Sequence, residues 1–298
     1  MNQRSLIKRL ALSALVIAGA LGVPLWAAAA PDHAGPVSIT LEFDRIPQGD
    51  VGIVRVNGTD ITAVRAVFQE RVFNFYQDGR GWVGLISADM ESEIQPYTMQ
   101  LWIQYSDGAG ERVDQPIEVG SGGFGSSDVV LSASLMPLLE LDVEEAEMER
   151  LFDVMDRFTP ARYWEDQGFI IPSDATQIGW FGTWRLYNST YWRRHTGLDI
   201  RMPIGTPVIA TASGRVMLAE EMAIRGGYVL IDHGWGVYSG YAHLSEKLVV
   251  PGQWVRQGDV IGLSGLNGRS AGAHLHWEIA VGGTWVDPEA MVALDVGE

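Results

Sequence analysis

The strongest constraint on the fold of this 298-residue chain is a two-residue alternation of apolar and polar side chains, in short runs that turn residues separate. One run shows the pattern clearly, because its alternate residues are all apolar: Met99, Leu101, Ile103 and Tyr105. Alternate side chains of an extended segment share one face, so such a run predicts a half-buried β-strand. The pattern recurs from 36 to about 119 and again from about 169, and the chain is predicted to be mainly β.

The first of these regions, 31–120, predicts a small β-sandwich of immunoglobulin-like type. Turn signals at Asn57-Gly58 and Asp107-Gly108 separate its strands. The glycine- and serine-rich stretch 120–127 then predicts a flexible link. The second region, 169–298, predicts a C-terminal antiparallel β-sheet domain of hairpins and long loops.

One helix is predicted between the two β regions, over 142–158, inside a linker that spans 121–168. Its apolar residues recur at helical spacing: Met148, Leu151, Phe152, Met155 and Phe158. Pro160 follows the predicted end. Because a stripe of this composition is typical of packing, we expect the helix to bridge the two domains.

The first thirty residues predict export. Arg4, Lys8 and Arg9 precede an uncharged run from Leu10 to Ala30 that ends in an alanine tract, which is typical of a secretory signal peptide. A retained N-terminal anchor is the alternative, since the run is almost long enough to span a bilayer. Cleavage is favoured because glycine, proline and alanines make a poor spanning helix, and no second run of spanning length follows. The mature protein is therefore expected in the periplasm, at the cell wall or outside the cell.

The charge and the absence of cysteine exclude two kinds of function. The chain carries a net charge of −16, and loss of the segment 1–30 leaves 18 basic against 37 acidic residues, a net charge of −19. Such an acidic protein repels phosphate backbones, so no nucleic-acid partner is expected. Without cysteine there is neither a disulfide nor a thiolate metal site, so any metal must bind to His, Asp or Glu.

The stretch AHLHWE places two of the six histidines of the chain, His274 and His276, on the same face of a predicted strand. His195 opens a second motif, HTGLDI, in which Asp199 follows four residues later. On an extended segment these two side chains fall on one side, subject to any bend at Gly197. Adding one histidine of the strand gives three ligands and an open position, as in catalytic zinc sites. The other histidine would then be free to act on a substrate.

Five motifs occur together in the second region: HTGLDI, GTPVIATASGRV, YAHLS, VRQGDVIGLSG and AHLHWEI. In this order and spacing they resemble the lysostaphin-like zinc endopeptidases, also called LytM-type peptidoglycan peptidases. The resemblance covers about Trp180 to Pro288. One departure is Ala273, where the family more often has proline, and it touches no ligand.

The resemblance implies one zinc ion per chain, held by His195, Asp199 and His276, with His243 and His274 as catalytic groups. It also implies a groove across an antiparallel sheet, and the peptide stems and cross-links of bacterial peptidoglycan as substrate. The expected function is therefore a zinc-dependent endopeptidase of cell-wall remodelling or lysis.

Several nearby residues have two interpretations. The aromatic and basic stretch 179–194 either walls the groove, with Arg185 or Tyr191 contacting substrate, or only packs a loop. Glu278 either orients a histidine or is a solvated glutamate. His233, in the hairpin formed by 228–243, is interpreted as a turn histidine outside the site.

Two other functions are compatible with parts of this pattern. LytM-like domains that have lost ligands regulate other wall hydrolases, but all five site positions are filled here. Cupin-like metal enzymes also carry two histidines one residue apart with a nearby glutamate. The glycine-framed HTGLDI motif and the export signal fit a cupin poorly.

The alanine tract predicts where the secreted protein begins. It offers the small-residue sites that follow the apolar run, so N-terminal sequencing of secreted protein should start near Ala29 to Asp32. An intact Met1 on membrane-bound protein would show instead that the segment is an anchor.

Overall fold

The computed structural model describes residues 36–157 and 159–295. The predicted export segment, 1–30, and Phe158, the predicted last residue of the helix, lie outside the described residues. Most of the regular structure described is β-strand, which confirms the predicted class. None of the described helices is both long and apolar enough to cross a membrane.

The N-terminal strands form two sheets. Their bounds are β1 Ser38–Leu41, β2 Ile46–Pro47, β3 Val51–Asn57, β4 Ile61–Phe68, β5 Arg71–Asn74, β6 Tyr76–Asp78, β7 Gly81–Ser87, β8 Pro96–Tyr105 and β9 Gly110–Gly120. One sheet has the order β1-β3-β7-β6 and the other the order β2-β9-β8-β4-β5. We call this part, residues 38–120, the N-terminal two-sheet unit.

The apolar side chains at alternate positions of the strands form the core of this unit. The side chains of Met99, Leu101, Ile103 and Tyr105 on β8 are all buried, and they pack against residues of both sheets. The Asp107-Gly108 turn joins β8 to β9 in a hairpin. Asn57-Gly58 instead leads from one sheet to the other, because β3 and β4 lie in different sheets. The immunoglobulin-like type of the unit stays a prediction.

The C-terminal part is built on a larger sheet of its own. The strands that follow the linker are β11 Gln177–Gly179, β12 Trp184–Tyr187, β13 Tyr191–Arg194, β14 Leu198–Ile200, β15 Pro207–Ile209, β16 Gly214–Met222, β17 Gly226–Gly234, β18 Val237–Lys247, β19 Trp254–Val255, β20 Val260–Ser264, β21 Leu275–Val281 and β22 Thr284–Val286. The main path through this sheet is β11-β14-β21-β18-β17-β16-β19, and the pairings along it are antiparallel. This sheet, which β15, β20 and β22 extend, is called the C-terminal sheet.

The described part of the linker contains regular structure and packs on the C-terminal sheet. It contains β10 Ser126–Val129, a 3-10 helix Ala133–Leu139 and the helix α1 Leu141–Met155. β10 pairs in parallel with β12, so the end of the predicted flexible link is a strand. A helix is confirmed in the predicted region 142–158, over Leu141–Met155, and its residues Met148, Leu151, Phe152 and Met155 pack into the same core as the C-terminal sheet. A short helix, α2 Pro288–Ala293, ends the described fold.

Direct contacts join the N-terminal two-sheet unit to the C-terminal sheet. The Ser87 hydroxyl donates to the Val281 carbonyl at 3.0 Å, and the Tyr76 ring stacks on Trp235 with 4.7 Å between centroids. Residues of β3 and β7 share one apolar core with the C-terminal sheet and α1. The two parts of the chain are therefore joined by buried apolar packing, a hydrogen bond and a stacked pair of rings.

The interpretation of His233 as a turn histidine is wrong. It lies within β17 and has no exposed surface. Its Nδ1 donates to the Ser213 carbonyl at 2.8 Å, and its Nε2 lies 2.7 Å from the Ser239 hydroxyl. Burial lowers the pKa of His233 to about 4, so the ring is neutral in the folded protein at neutral pH.

This burial predicts a pH-dependent stability. The unfolded chain protonates His233 below about pH 6.5, whereas the folded chain does so only near pH 4, so the free energy of unfolding should fall as the pH drops through this window. His233→Gln removes this titration. The wild-type protein should lose up to about 3 kcal/mol more than the variant between pH 6.5 and 4.

Denaturant unfolding of both proteins at several pH values measures this difference. The other histidines titrate equally in the two proteins, so their contributions cancel. Equal pH dependence in the two proteins would contradict a buried neutral His233.

Candidate metal centre

Three donor atoms converge where β14 pairs with β21. Asp199 lies directly opposite His276 in this antiparallel pairing, and His195 precedes β14 by three residues. His195 Nε2 lies 2.9 Å from Asp199 Oδ1 and 2.9 Å from His276 Nδ1. The distance from His276 Nδ1 to Asp199 Oδ1 is 3.0 Å. All three side chains are buried, and they are a group within the described residues whose atoms could hold one metal ion.

Gly197 allows this close approach. A Cβ atom built on Gly197 would lie 2.2 Å from the carbonyl oxygen of Trp277 on the facing strand, which is closer than atoms can pack. Any side chain here would push β14 away from β21. The glycine in the HTGLDI motif is therefore a requirement of the strand pairing that brings Asp199 to His276.

The hydrogen bonds around the histidines decide which nitrogens face the centre. His195 Nδ1 lies 2.7 Å from the Trp180 carbonyl, and because a carbonyl only accepts, Nδ1 carries the proton and Nε2 presents a lone pair. Burial lowers the pKa of His195 to about 4, which keeps that ring neutral. On the other side, His276 Nε2 faces Glu278 Oε2 at 3.2 Å, so His276 Nδ1 is the atom turned inward.

Three inward electron-pair donors at this separation require a positive species between them. A proton on His276 can fill this role, since its bonds to Asp199 and Glu278 raise the pKa of His276 against the effect of burial. A metal ion is the alternative, and it competes with that proton. Tetrahedral zinc with bonds of about 2.1 Å holds its ligands about 3.4 Å apart. The observed separations need to open by only a few tenths of an ångström, so the residues fit a zinc ion.

Glu278 is a buried partner of the centre, and its interpretation as a solvated glutamate is wrong. The residue has no exposed surface. Its carboxylate accepts from Arg225 Nε at 2.6 Å, from the Tyr228 hydroxyl at 2.8 Å and from the Thr196 hydroxyl at 2.9 Å, besides facing His276. Burial raises the pKa of Glu278, but Arg225 and His276 outweigh it and hold the pKa below its usual range. An ionised Glu278 orients the His276 ring.

Arg185 lies on the other side of the same centre. Its Nη2 donates to Asp199 Oδ2 at 2.5 Å, so the two oxygens of Asp199 have different partners. Burial raises the pKa of Asp199, but its contacts with His195, His274 and His276 hold the pKa well below its usual value. Arg185 also lines the cavity. Its predicted contact with substrate stays a prediction, and its observed partner is a metal-ligand residue.

Tyr191 lies away from the cavity. It packs against a small apolar cluster formed by Leu131, Leu139 and Tyr187, and it is not among the residues that line the cavity over the centre. Its substrate role stays a prediction that this packing does not favour. Both interpretations of the stretch 179–194 hold in part, because Arg194 lines the cavity while its guanidinium stacks on Trp184, 4.1 Å from the ring centroid.

His243 and His274 face each other beside the three ligands, with 4.6 Å between ring centroids. His243 Nδ1 lies 2.7 Å from the Asn267 carbonyl, and His274 Nδ1 lies 2.7 Å from the Gly272 carbonyl. Each ring therefore keeps a proton on Nδ1 and turns Nε2 away from that carbonyl. His274 Nε2 approaches Asp199 Oδ1 to 3.5 Å. His243 has a positive φ of 61° at an irregular point of β18, where a residue other than glycine is uncommon.

A cavity of about 540 Å³ lies over this group of five residues. The linker supplies one wall, with Asp128 and Val129 from β10 and with Glu144 and Met148 from α1. The loop 269–273 also lines the cavity. A cavity of this size accommodates a short peptide segment over the five polar side chains.

Two residues of the site were missed in the sequence. Glu147 on α1 and Arg225 in the turn before β17 are both buried and form an ion pair at 2.8 Å. The helical spacing could have revealed that Glu147 is buried. Glu147 lies four residues before Leu151 and seven before Val154, on the apolar face of the helix. An acidic side chain on such a face needs a buried partner. Arg225 had no comparable signal.

The geometry agrees with comparisons with known proteins. Residues 193–288 match the model of peptidase family M23. The peptidoglycan DD-endopeptidase ShyA of Vibrio cholerae is 47% identical over 89 residues, which cover 30% of this chain and 21% of ShyA. The DD-carboxypeptidase/endopeptidase Mpg of Neisseria meningitidis serogroup B is 45% identical over 107 residues, which cover 36% of this chain and 24% of Mpg. The match thus spans about a fifth to a quarter of these relatives.

A solved structure described as a peptidase M23 of Pseudomonas aeruginosa shares the fold over most of the chain. It aligns with a TM-score of 0.62 and 24% identity, over 84% of this chain and 95% of that one. At this identity, the likeness shows a shared β-sheet fold. Residues 193–288 form a domain of peptidase family M23, the lysostaphin-like or LytM-type family, which confirms the resemblance found in the sequence and leaves the cupin-like alternative without support.

Glu278→Gln should weaken metal binding by about 10- to 100-fold, because the neutral amide no longer holds Arg225 and His276 in place. Competition with a chromophoric chelator measures this affinity without any substrate. Glu246, an exposed glutamate of β18, gives the matched control, and Glu246→Gln should bind metal as the wild type does. Unchanged affinity in Glu278→Gln would show that the carboxylate does not orient the ligand.

Proposed function

We propose that this chain is an exported, zinc-dependent endopeptidase that hydrolyses the peptide cross-links of bacterial peptidoglycan, in wall remodelling or lysis. The observation that carries the proposal is the convergence of His195 Nε2, Asp199 Oδ1 and His276 Nδ1 beneath a cavity that also contains two further histidines. Nitrogen and oxygen ligands in a set of three, with room above them, are typical of catalytic zinc.

The substrate class rests on the relatives. ShyA and Mpg are named as endopeptidases, and the name of ShyA specifies peptidoglycan. Export is supported by the segment 1–30, which precedes the described residues and has the pattern of a secretory signal. Peptidoglycan lies outside the cytoplasm, so the proposed location and the proposed substrate agree.

The chain's own residues supply the remaining chemistry. His195, Asp199 and His276 would hold the zinc ion, which would supply Lewis-acid chemistry toward the scissile carbonyl and a water nucleophile near neutral pH. The Nε2 of His243 or His274, when unprotonated, takes the proton of the attacking water and later gives it to the leaving amine. The other imidazole, when it is protonated on Nε2, donates a hydrogen bond to the oxygen on which negative charge develops. The two rings have the same kind of Nδ1 partner, so either one fits the role of base.

Substitution of the histidines should separate ligand from catalytic roles. His276→Ala should lose both metal and hydrolysis. His243→Ala and His274→Ala should retain the metal and the fold, while the rate of each falls by about 10²- to 10⁴-fold. Metal content by mass spectrometry, unfolding curves and hydrolysis rates on the same preparations test this.

His233→Gln is the control, since His233 is a core residue that does not line the cavity, and it should keep both metal and rate. The assignment would be reversed if His274→Ala lost the metal while His276→Ala retained it.

Digestion of defined peptidoglycans, followed by mass spectrometry of the released ends, tests the function itself. We expect about one zinc per chain, cleavage between peptide stems, and loss of cleavage on chelation. A protein that binds zinc but cleaves none of these substrates, and stimulates another wall hydrolase instead, would be a regulator. Full hydrolysis by zinc-free protein would overturn the metal assignment.

A further inference from the structure

The helix α1 brings one carboxylate into the C-terminal sheet. Glu147 is only 6% exposed, and its carboxylate reaches the turn between β16 and β17. It accepts from the backbone N–H of Ile224 at 2.8 Å and from the backbone N–H of Arg225 at 3.2 Å. The Arg225 guanidinium also donates to it, from Nη1 at 2.8 Å. One carboxylate thus holds both the backbone and the side chain of Arg225.

Arg225 links Glu147 to Glu278, the carboxylate beside His276. The other two nitrogens of its guanidinium donate to the two oxygens of Glu278, Nε at 2.6 Å and Nη2 at 3.0 Å. Because the guanidinium is a rigid plane, its position on Glu147 determines its position on Glu278. Glu278 in turn faces His276 Nε2 at 3.2 Å. An unbroken series of buried contacts therefore runs from the linker helix to a proposed zinc ligand.

The same arginine also reaches the proposed catalytic histidine. The backbone carbonyl of Arg225 accepts from the backbone N–H of His243 at 2.7 Å. His243 has a strained backbone at this point, with a φ of 61°. A shift of the turn that holds Arg225 would therefore move His243 as well as Glu278.

We propose that Glu147 is a positioning residue of the metal centre, through which the linker helix orients His276 by way of the Arg225 side chain and His243 by way of the Arg225 backbone. This inference rests on the proposed function for the identity of the centre. The contacts of the series are buried, so water does not compete for its hydrogen bonds. Glu147 is not a catalytic residue, since it acts only through Arg225.

The test is Glu147→Gln in the full chain, which keeps the volume of the side chain and removes its charge. Outer partners of metal ligands contribute about 10- to 100-fold to affinity, and we expect a loss of about 10-fold, at the lower end, for a group one step further out. Competition with a chelator measures zinc affinity without substrate. The visible spectrum of the cobalt-loaded protein should also change, since it reports ligand geometry. At saturating zinc, kcat should still be reduced through His243.

Two controls separate positioning from a general loss of stability. Arg150→Gln breaks the pair that Arg150, on the same helix, forms with Glu220 at 3.0 Å. This exposed pair does not belong to the series, so zinc affinity should stay as in the wild type. His233→Gln lowers stability from within the core, away from the series, and should also leave affinity unchanged.

A double-mutant cycle tests the route. If Glu147 acts through Glu278, the losses of zinc affinity in Glu147→Gln and Glu278→Gln should be less than additive when combined. The proposal is overturned if Glu147→Gln lowers the unfolding temperature but leaves zinc affinity and the cobalt spectrum as in the wild type. It is also overturned if the two losses add fully. A protein that binds zinc but cleaves no wall peptide would refute the proposed function and leave this inference standing.

Discussion

The buried carboxylate of Asp199 is the interaction on which the site depends. An ionised carboxylate inside a protein is stable only if charges and hydrogen bonds surround it. Here two histidines contact one oxygen at 2.9 and 3.0 Å, and Arg185 contacts the other. The pairing of β14 with β21 holds these groups together, and a glycine at position 197 permits that pairing. The ligand geometry is thus a property of the C-terminal sheet.

A second set of buried charges surrounds the first. Glu278 and Arg225 lie behind His276, and Glu147 reaches them from the linker helix. The linker therefore does more than connect two units. It supplies one wall of the cavity and one member of the charged network, and it does so because its apolar face packs into the core of the C-terminal sheet. Residues of β3 and β7 of the N-terminal two-sheet unit belong to the same core.

Local patterns predicted a large part of this structure, because they reflect local physics. Alternation along β8 predicted a buried face, and the helical spacing in α1 predicted a packed stripe. Patterns failed where the partner was distant in sequence. Glu278 and His233 both resemble surface residues when only neighbouring residues are considered, yet each is fully buried with partners that distant segments provide. The end of the glycine-rich link is a strand because β12 offers it an edge.

The sequence by itself determined the β class, the linker helix and the two histidine motifs, and through them the family. It could do so because side-chain periodicity and motif spacing are carried by the chain order alone. Only the tertiary structure decided which nitrogen of each histidine faces the centre, since the Trp180 carbonyl and the Glu278 carboxylate settle that choice. Only it joined Glu147 to His276 through Arg225, which lies 78 positions from Glu147 and 53 positions from Glu278 in the sequence. Buried charges must be paired, but the partner is chosen by packing, which no local pattern records.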